Sequence, residues 1–356
     1  MSALVEYKCP CCGGAIEFNS NSQKMKCPYC DTEFEIEALK EFTEASQSAG
    51  DSLDWDCPDS QWGASETAGM NVYTCKSCGG QIVTDQTTAA SACPYCDNPI
   101  VMTGQFEGGL RPDMIIPFKI DKEAAKNALS NYLKGKLLLP RSFKDEHRID
   151  EIKGVYVPFW LFDCDADANI RYRATRVRSW TSGDYHYTET SHYLIVRDGS
   201  IQFEKVPVDG SQKMPDELSE AIEPYNYGDC VDFNTAYLAG YLADKYDVSA
   251  EQSRGRANER IRNSTQQEFR NTVKGYATVV PETVNIRLNS GKIRYALLPV
   301  WMLSTTYKGK VYRFAMNGQT GKFVGNLPAD YGRLFGLFAG VTAAVTALAF
   351  IVQLFM

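Results

Sequence analysis

Histidine is almost missing from this chain of 356 residues: His147, His186 and His192 are the only three, and they make neither a catalytic triad nor a metal-ligand spacing. That leaves little for imidazole-based acid–base chemistry or His-ligated zinc. Positive charge is also short. Lys and Arg number 37 against 44 Asp and Glu, a net charge of −7 that argues against bulk attraction to nucleic acid or anionic lipid. No basic, apolar leader opens the chain, since MSALVEYKCP runs directly into cysteine, and no secretion signal is expected. Two stretches imitate ligand loops and fail. Asp163, Asp165, Asp167 and Asn169 alternate like the start of a calcium loop, but Ala168 stands where glycine is needed and Ala174 where a bidentate Glu belongs. Gly318-Gln319-Thr320-Gly321-Lys322 is followed by Phe323 instead of a hydroxyl residue, and Met316 replaces the first glycine of a phosphate loop. The first reads as a strand face and the second as a hairpin turn.

Cysteine is what the chain has in excess. Ten of twelve lie before residue 100, mostly in C-x-x-C pairs, which points to metal binding in a reducing compartment rather than to disulfides. Laying Tyr7–Asp31 over Tyr73–Asp97, an offset of 66, matches Y-x-C-x-x-C-G-G-x-I and C-P-Y-C-D, with fourteen residues between the cysteine pairs. The chain is therefore expected to carry two duplicated zinc ribbons. Cys9, Cys12, Cys27 and Cys30 ligate one structural zinc ion, and Cys75, Cys78, Cys93 and Cys96 the other. Cys11 falls outside the match, and no role follows for it or for Cys57. Gly13, Gly79, Asp31 and Asp97 follow the pairs, where a positive φ brings backbone N–H groups toward sulfur. Cys164 and Cys230 read as core residues, and no catalytic constellation is found.

The one long apolar run, Leu334–Met356, has 23 residues without a charge, enough as a helix at about 1.5 Å per residue to cross a hydrocarbon core of about 30 Å. Arg333 precedes it and nothing basic follows. The expectation is a tail-anchored, single-pass protein of the cell membrane with its N-terminal bulk in the cytoplasm. Gly336-x-x-x-Gly340 would let a second helix approach closely.

Boundaries follow from composition: ribbon 1 over 1–36, an acidic linker over 37–69, ribbon 2 over 70–104, an α+β domain over 105–330 and a transmembrane helix over 334–356. The linker has eight acidic residues against Lys40 alone, and its Trp55 and Trp62 are expected to dock on a neighbouring domain. In the α+β domain, antiparallel sheets are expected beside helices at 122–138, 215–223, 234–246 and 249–274. Phe162, Cys164, Ala166, Ala168, Ile170 and Tyr172 alternate as the buried face of a strand. Tyr185–Val196 and Ile201–Val206 are two more, with Asp198-Gly199 as their hairpin turn. IKGVYVPFWL and IRYALLPVWM hint at an internal duplication. The basic helix 249–274 and the strand arginines Arg171, Arg173, Arg176 and Arg178 read as solvated faces, with contact to anionic lipid the weaker reading.

CPCCGG with CPYCDTEFE, CKSCGG with CPYCDNP, VPFWLFDCDADA, and LLPVWM followed by FAMNGQTGKFVGNLP together resemble the bacterial membrane proteins labelled transcription-factor-IIB-type zinc-ribbon proteins, over nearly the whole chain. Some relatives carry a primosomal helicase-like label, but nucleotide-binding motifs are lacking. The resemblance implies a membrane protein with protein partners of the phage-shock or flotillin-like (SPFH) kind. Expected is a non-enzymatic adaptor or scaffold. A membrane-tethered nucleic-acid-binding regulator is the alternative, disfavoured by the neutral-to-acidic ribbons.

Overall fold

The structure, a computed structural model, describes residues 9, 16–19, 24–28, 32–36, 53, 55–63, 66–67, 69–85, 88, 90–105, 109–136, 138–140, 143, 149 and 151–355. It is a mixed α/β protein whose strands form a three-stranded sheet and an eleven-stranded mixed sheet. The chain divides into two compact units. The first takes Met1–Cys57, Leu161–Val208 and Arg254–Ile293, and the second takes Pro58–Trp160, Asp209–Ser253 and Arg294–Met356.

In the first unit, β1 (Glu17–Asn19), β2 (Lys24–Lys26) and β3 (Glu33–Phe34) form a small antiparallel sheet. Two long strands, β8 (Lys153–Ser182) and β9 (Tyr185–Asp209), pair through a two-residue turn, with Gly183 at a φ of 60° that favours glycine. The alternation along β8 holds, and Phe162 through Tyr172 are buried at every second position. The turn expected at Asp198-Gly199 is not there, because β9 runs straight through it. Asn169 Nδ2 donates to Asp198 Oδ2 across the ribbon at 2.6 Å, so this Asp serves a strand pair rather than a turn.

Helix α3 (Ala250–Asn271) lays Ala257, Ile261, Thr265 and Phe269 against this core, a spacing of four that makes one buried stripe. Its arginines are not simply solvated. Arg254 Nη2 donates to Cys57 Sγ at 3.0 Å and Arg260 Nη1 to the Pro207 carbonyl at 2.7 Å. Trp55 docks as expected, edge-on to Phe162 at 5.0 Å, with its ring where a side chain on Gly291 would be.

The second unit holds β4 (Asn71–Thr74), β5 (Gln81–Thr84), β6 (Val101–Gln105), β7 (Met114–Ile115), β10 (Val231–Asp232), β11 (Leu242–Asp244), β13 (Lys310–Asn317), β14 (Phe323–Gly325) and the inner ends of β8 and of β12 (Thr278–Tyr307). Most pairings are antiparallel, but β11 with β8 and β7 with β12 are parallel, which corrects the expectation of antiparallel sheets alone. Helix α1 (Lys122–Leu133) starts on Asp121, whose side chain accepts the Ala124 N–H at 2.7 Å. It stops short of the expected 138, and Gly135 follows at φ 75°. Ala125, Leu129 and Leu133 pack on Trp301, Leu303, Phe314 and Met316 of β12 and β13. Helix α2 spans Asp216–Ala221.

No α-helix forms over 234–246. Asn234 caps a single short turn through the Ala236 N–H, Gly240 takes a φ of 82°, and Leu242–Asp244 then becomes β11, an interior strand. A short apolar run buried on both faces looks helical by periodicity alone, and here the glycine decides against it. Trp62 meets Phe233 edge-on at 5.5 Å, within this unit.

Helix α4 (Tyr331–Phe355) begins on Asp330, which accepts from the Gly332 and Arg333 N–H groups, and Arg333 Nη1 reaches the Leu139 carbonyl at 2.8 Å. Its side chains from Leu334 to Thr346 are all exposed. Described side chains run unbroken only from Tyr331 to Thr346, about 24 Å of helix, so among the described residues no helix is long and apolar enough to cross a membrane. The remainder of the expected span falls partly on side chains outside the described residues.

Candidate metal centre

The two cysteine pairs of the second ribbon come together. Cys75 follows β4, Cys78 closes the first knuckle, and Cys93 and Cys96 supply the second after β5. Their sulfurs all lie within 4.8 Å of one another, with Cys75–Cys96 and Cys78–Cys93 each at 3.6 Å. A tetrahedral site with Zn–S bonds of about 2.3 Å requires sulfurs about 3.8 Å apart, so the four thiolates can hold a zinc ion. The knuckles are made by backbone. Gly79 N–H donates to the Cys75 carbonyl and Asp97 N–H to the Cys93 carbonyl, and Gly79 and Asp97 take φ of 73° and 59°, as expected from their positions after the pairs.

The thiols differ in readiness. Burial raises Cys78 and Cys93 above the ordinary thiol range. Burial also works against Cys96, but the Asn98 side chain and backbone and the neighbouring sulfurs outweigh it and bring this thiol down to about 7. Asn98 Nδ2 lies 3.4 Å from the Cys96 sulfur. Cys96 is therefore readier than Cys78 or Cys93 to become a thiolate, and metal binding must displace the protons of those two. With four protein ligands a bound metal would have no open position.

What was not foreseen is how firmly the second unit grips this knuckle. Tyr95, buried between Cys93 and Cys96, donates its hydroxyl to Asp244 Oδ2 of β11 at 2.7 Å, and Ser211 donates to the same oxygen at 2.6 Å. Lys213 Nζ lies 3.6 Å from Asp244 Oδ1 and 2.9 Å from Asp247 Oδ2. Burial pushes the Asp244 carboxyl up, against the pull of Lys213, Ser211 and Tyr95, and burial wins. The Lys213 stem also packs over Gly80, where an added Cβ would lie 3.3 Å from its Cδ. From β12, Ser304 Oγ donates to the Pro94 and Tyr95 carbonyls at 2.8 and 3.0 Å, and from β13, Arg313 Nε donates to the Tyr95 carbonyl at 2.7 Å. Lys153 of β8 reaches the Ala92 carbonyl at 3.2 Å. Strand β5 itself pairs with β11, Val83 against Ala243.

In the first ribbon Cys9 and Cys27 are buried with Phe34, beside Ile16, Met25 and Val280. Cys12, Cys30, Cys11, Gly13 and Asp31 lie outside the described residues, so a second four-sulfur site is not shown. The backbone repeats nonetheless. Cys27 N–H donates to the Thr32 carbonyl as Cys93 N–H does to Asn98, and the Lys26–Glu33 pair corresponds to the Ala92–Pro99 bridge, all at the offset of 66. Cys164 is buried as expected and Cys230 is half-buried.

Fold and site together define a mixed α/β protein with a four-cysteine metal knuckle built into one of its units. The chain is 36% identical over 353 residues to the uncharacterized protein YdjG of Bacillus subtilis (strain 168), across 99% of this chain and 98% of that one, and it belongs to the same family. No family model and no solved structure matches it.

Proposed function

We propose that this protein is a non-enzymatic, membrane-anchored adaptor that carries two structural zinc ions and holds protein-docking surfaces at the cytoplasmic face. The observation that carries the reading is the surface of α4: Leu334, Phe335, Leu337, Phe338, Val341 and Val345 are all exposed, an apolar exterior with no core to cover it. With its backbone helical to Phe355, this element is about 37 Å long, and a bilayer is the solvent that suits such a surface. Arg333 before it supports a cytoplasmic location for the rest. The family resemblance to transcription-factor-IIB-type zinc-ribbon membrane proteins favours phage-shock or SPFH-type partners, and the adaptor role, the partners and the non-enzymatic character rest on that resemblance together with the filled thiolate shell.

Matched burial of Cys9 with Cys75 and of Cys27 with Cys93, together with the repeated backbone bonds, supports a second zinc ion in the first ribbon. On α4, nothing lies within 4 Å of a side chain added at Gly336 or Gly340, which leaves room for a partner helix. The deciding experiment is affinity capture of the detergent-solubilised full-length protein, alongside alkaline extraction of membranes and metal analysis. Resistance to extraction, two zinc ions per chain and specific co-captured proteins are expected. Release at alkaline pH, or strong salt-dependent retention of nucleic acid in a filter assay, would replace this reading with another.

A further inference from the structure

The face of β8 that is buried from Phe162 to Ala174 does not end there. It continues as Arg176, Arg178 and Trp180, and from Arg176 to Leu194 every residue but Ser191 is exposed. Cross-strand contacts fix the register of this outer half: Thr181 Oγ1 meets His186 Nδ1 at 3.0 Å, Ser179 Oγ meets Thr188 Oγ1 at 3.2 Å, and the Trp180 and Tyr187 rings stack at 5.6 Å. Among the described residues β9 pairs with β8 alone, so its outer edge is open. A two-stranded ribbon bare on both faces is marginal in water, and this one is tipped with aromatic rings.

Its charge runs against the rest of the molecule. Between residues 171 and 197 stand Arg171, Arg173, Arg176, Arg178 and Arg197, opposed by Asp184 and Glu189 only, in a chain whose net charge is −7. Arg173 is held by Glu282, and Arg176 lies over the Tyr193 and Tyr276 rings at 5.4 and 5.2 Å. Arg178 lies over Trp180 at 5.7 Å. The order outward is thus arginine, then Trp180, Tyr187 and Tyr185 at the turn. Tyr and Trp rings favour the bilayer–water interface, and arginine pairs well with lipid phosphate. The open edge limits depth, since unpaired backbone N–H and C=O groups cannot enter hydrocarbon.

We propose that the outer half of the β8–β9 ribbon is a membrane contact in its own right, placing Trp180, Tyr185 and Tyr187 among the headgroups of an anionic leaflet while Arg176 and Arg178 bind lipid phosphate. This rests on the membrane location proposed above, while its own observations lie on the ribbon and not on α4, so the two can be separated. Trp180 is the one exposed tryptophan, Trp55, Trp160 and Trp301 being buried and Trp62 half-buried, and α4 contains none. Full-length protein is reconstituted in vesicles of phosphatidylcholine, with and without phosphatidylglycerol, in which the lipids carry brominated chains that quench tryptophan emission.

With phosphatidylglycerol present, a quenched component is expected that vanishes in Trp180→Phe. Each arginine near an anionic surface contributes about fivefold to partitioning, so Arg176→Ala with Arg178→Ala should weaken ribbon contact by about 25-fold. Alkaline extraction of the same vesicles reports on α4 alone. Resistance to extraction without Trp180-dependent quenching overturns the ribbon contact and leaves the anchor standing. Quenching in protein that extracts does the reverse. Equal quenching in neutral vesicles overturns the preference for an anionic leaflet, and a blue-shifted but unquenched Trp180 assigns the ribbon to contact with a second copy of the chain.

Discussion

The two ribbons share a motif and a backbone, yet they are set in their units very differently. The second contributes β5 to a sheet with β11 and has its Cys93–Cys96 knuckle gripped by Asp244, Ser304, Arg313 and Lys153. Among the described residues, the buried cluster of the first draws on Cys9, Cys27 and Phe34, and Val280 of β12 packs against it from outside the ribbon. One copy has become core and the other has remained a module. The difference means that metal ligation at the second ribbon should be linked to the stability of a whole unit, and at the site proposed for the first only to local folding.

The largest test of that contrast is Cys93→Ser against Cys27→Ser. Structural zinc supplies about 10–16 kcal/mol to small cysteine-rich folds, more than the roughly 5–15 kcal/mol that holds a typical domain together. Cys93→Ser is therefore expected to abolish the cooperative melting of the second unit and open it to limited proteolysis. Cys27→Ser should leave that transition in place while exposing 1–36 to cleavage. Equal damage from both would erase the distinction between core and module.

Next in size is Lys213→Met, which leaves Asp244 buried with hydroxyl partners only and is expected to cost about 3–5 kcal/mol in urea unfolding at pH 7. Burial already raises the Asp244 carboxyl in the folded state. A raised acid favours the folded state below its unfolded value, and that contribution is lost as pH rises through the folded value. Without Lys213 the folded value climbs further, so the deficit should shrink as pH is lowered from neutral toward the carboxylate range. Asp244→Asn in the Lys213→Met background should recover most of the loss. A deficit independent of pH would mean that Lys213 acts through its packing on Gly80 instead.

A smaller effect belongs to the Tyr95 hydroxyl. Hydrogen bonds to charged groups contribute about 1.5–3 kcal/mol, and Tyr95→Phe is expected to lose an amount in that range while zinc content stays unchanged. This variant sharpens the comparison because it removes one hydroxyl of the grip on the knuckle and leaves all four cysteines in place.

That grip is also where sequence reasoning stopped. Ligand spacing, the glycine after the first pair and the aspartate after the second were all legible, since a four-thiolate knuckle is a local object and each of its demands falls within a few residues. So was the buried face of β8, whose period of two needs no knowledge of its neighbours. The attachment was not legible, because Tyr95 meets a carboxylate 149 residues away and Ser304 reaches back 210. A hint existed in the tyrosine of C-P-Y-C, present in both ribbons, but nothing near it in the chain named its acceptor. The same non-locality explains the two misread segments. Leu242–Asp244 is a strand because β5 and β8 flank it, and Asp198-Gly199 stays extended because Asn169 lies opposite.

The smallest expected effect sits on the module. Lys24 and Glu35 pair across the first ribbon at 2.7 Å, both well exposed, and the hydrogen bond and charge of Glu35 raise the Lys24 ammonium above the ordinary lysine value. A raised base contributes stability below its unfolded value and loses it as pH rises through the folded one, so near neutrality the contribution is fully present. Solvent screening nevertheless keeps such pairs close to negligible. Glu35→Gln should therefore leave the melting transition and zinc content unchanged, while the Lys24 side-chain resonance, followed by NMR titration, shifts back toward the free-lysine midpoint. If the substitution instead unfolded the first ribbon, surface charge would be part of what holds that copy together. The module would then depend on its own exterior in the way that the embedded copy depends on its unit.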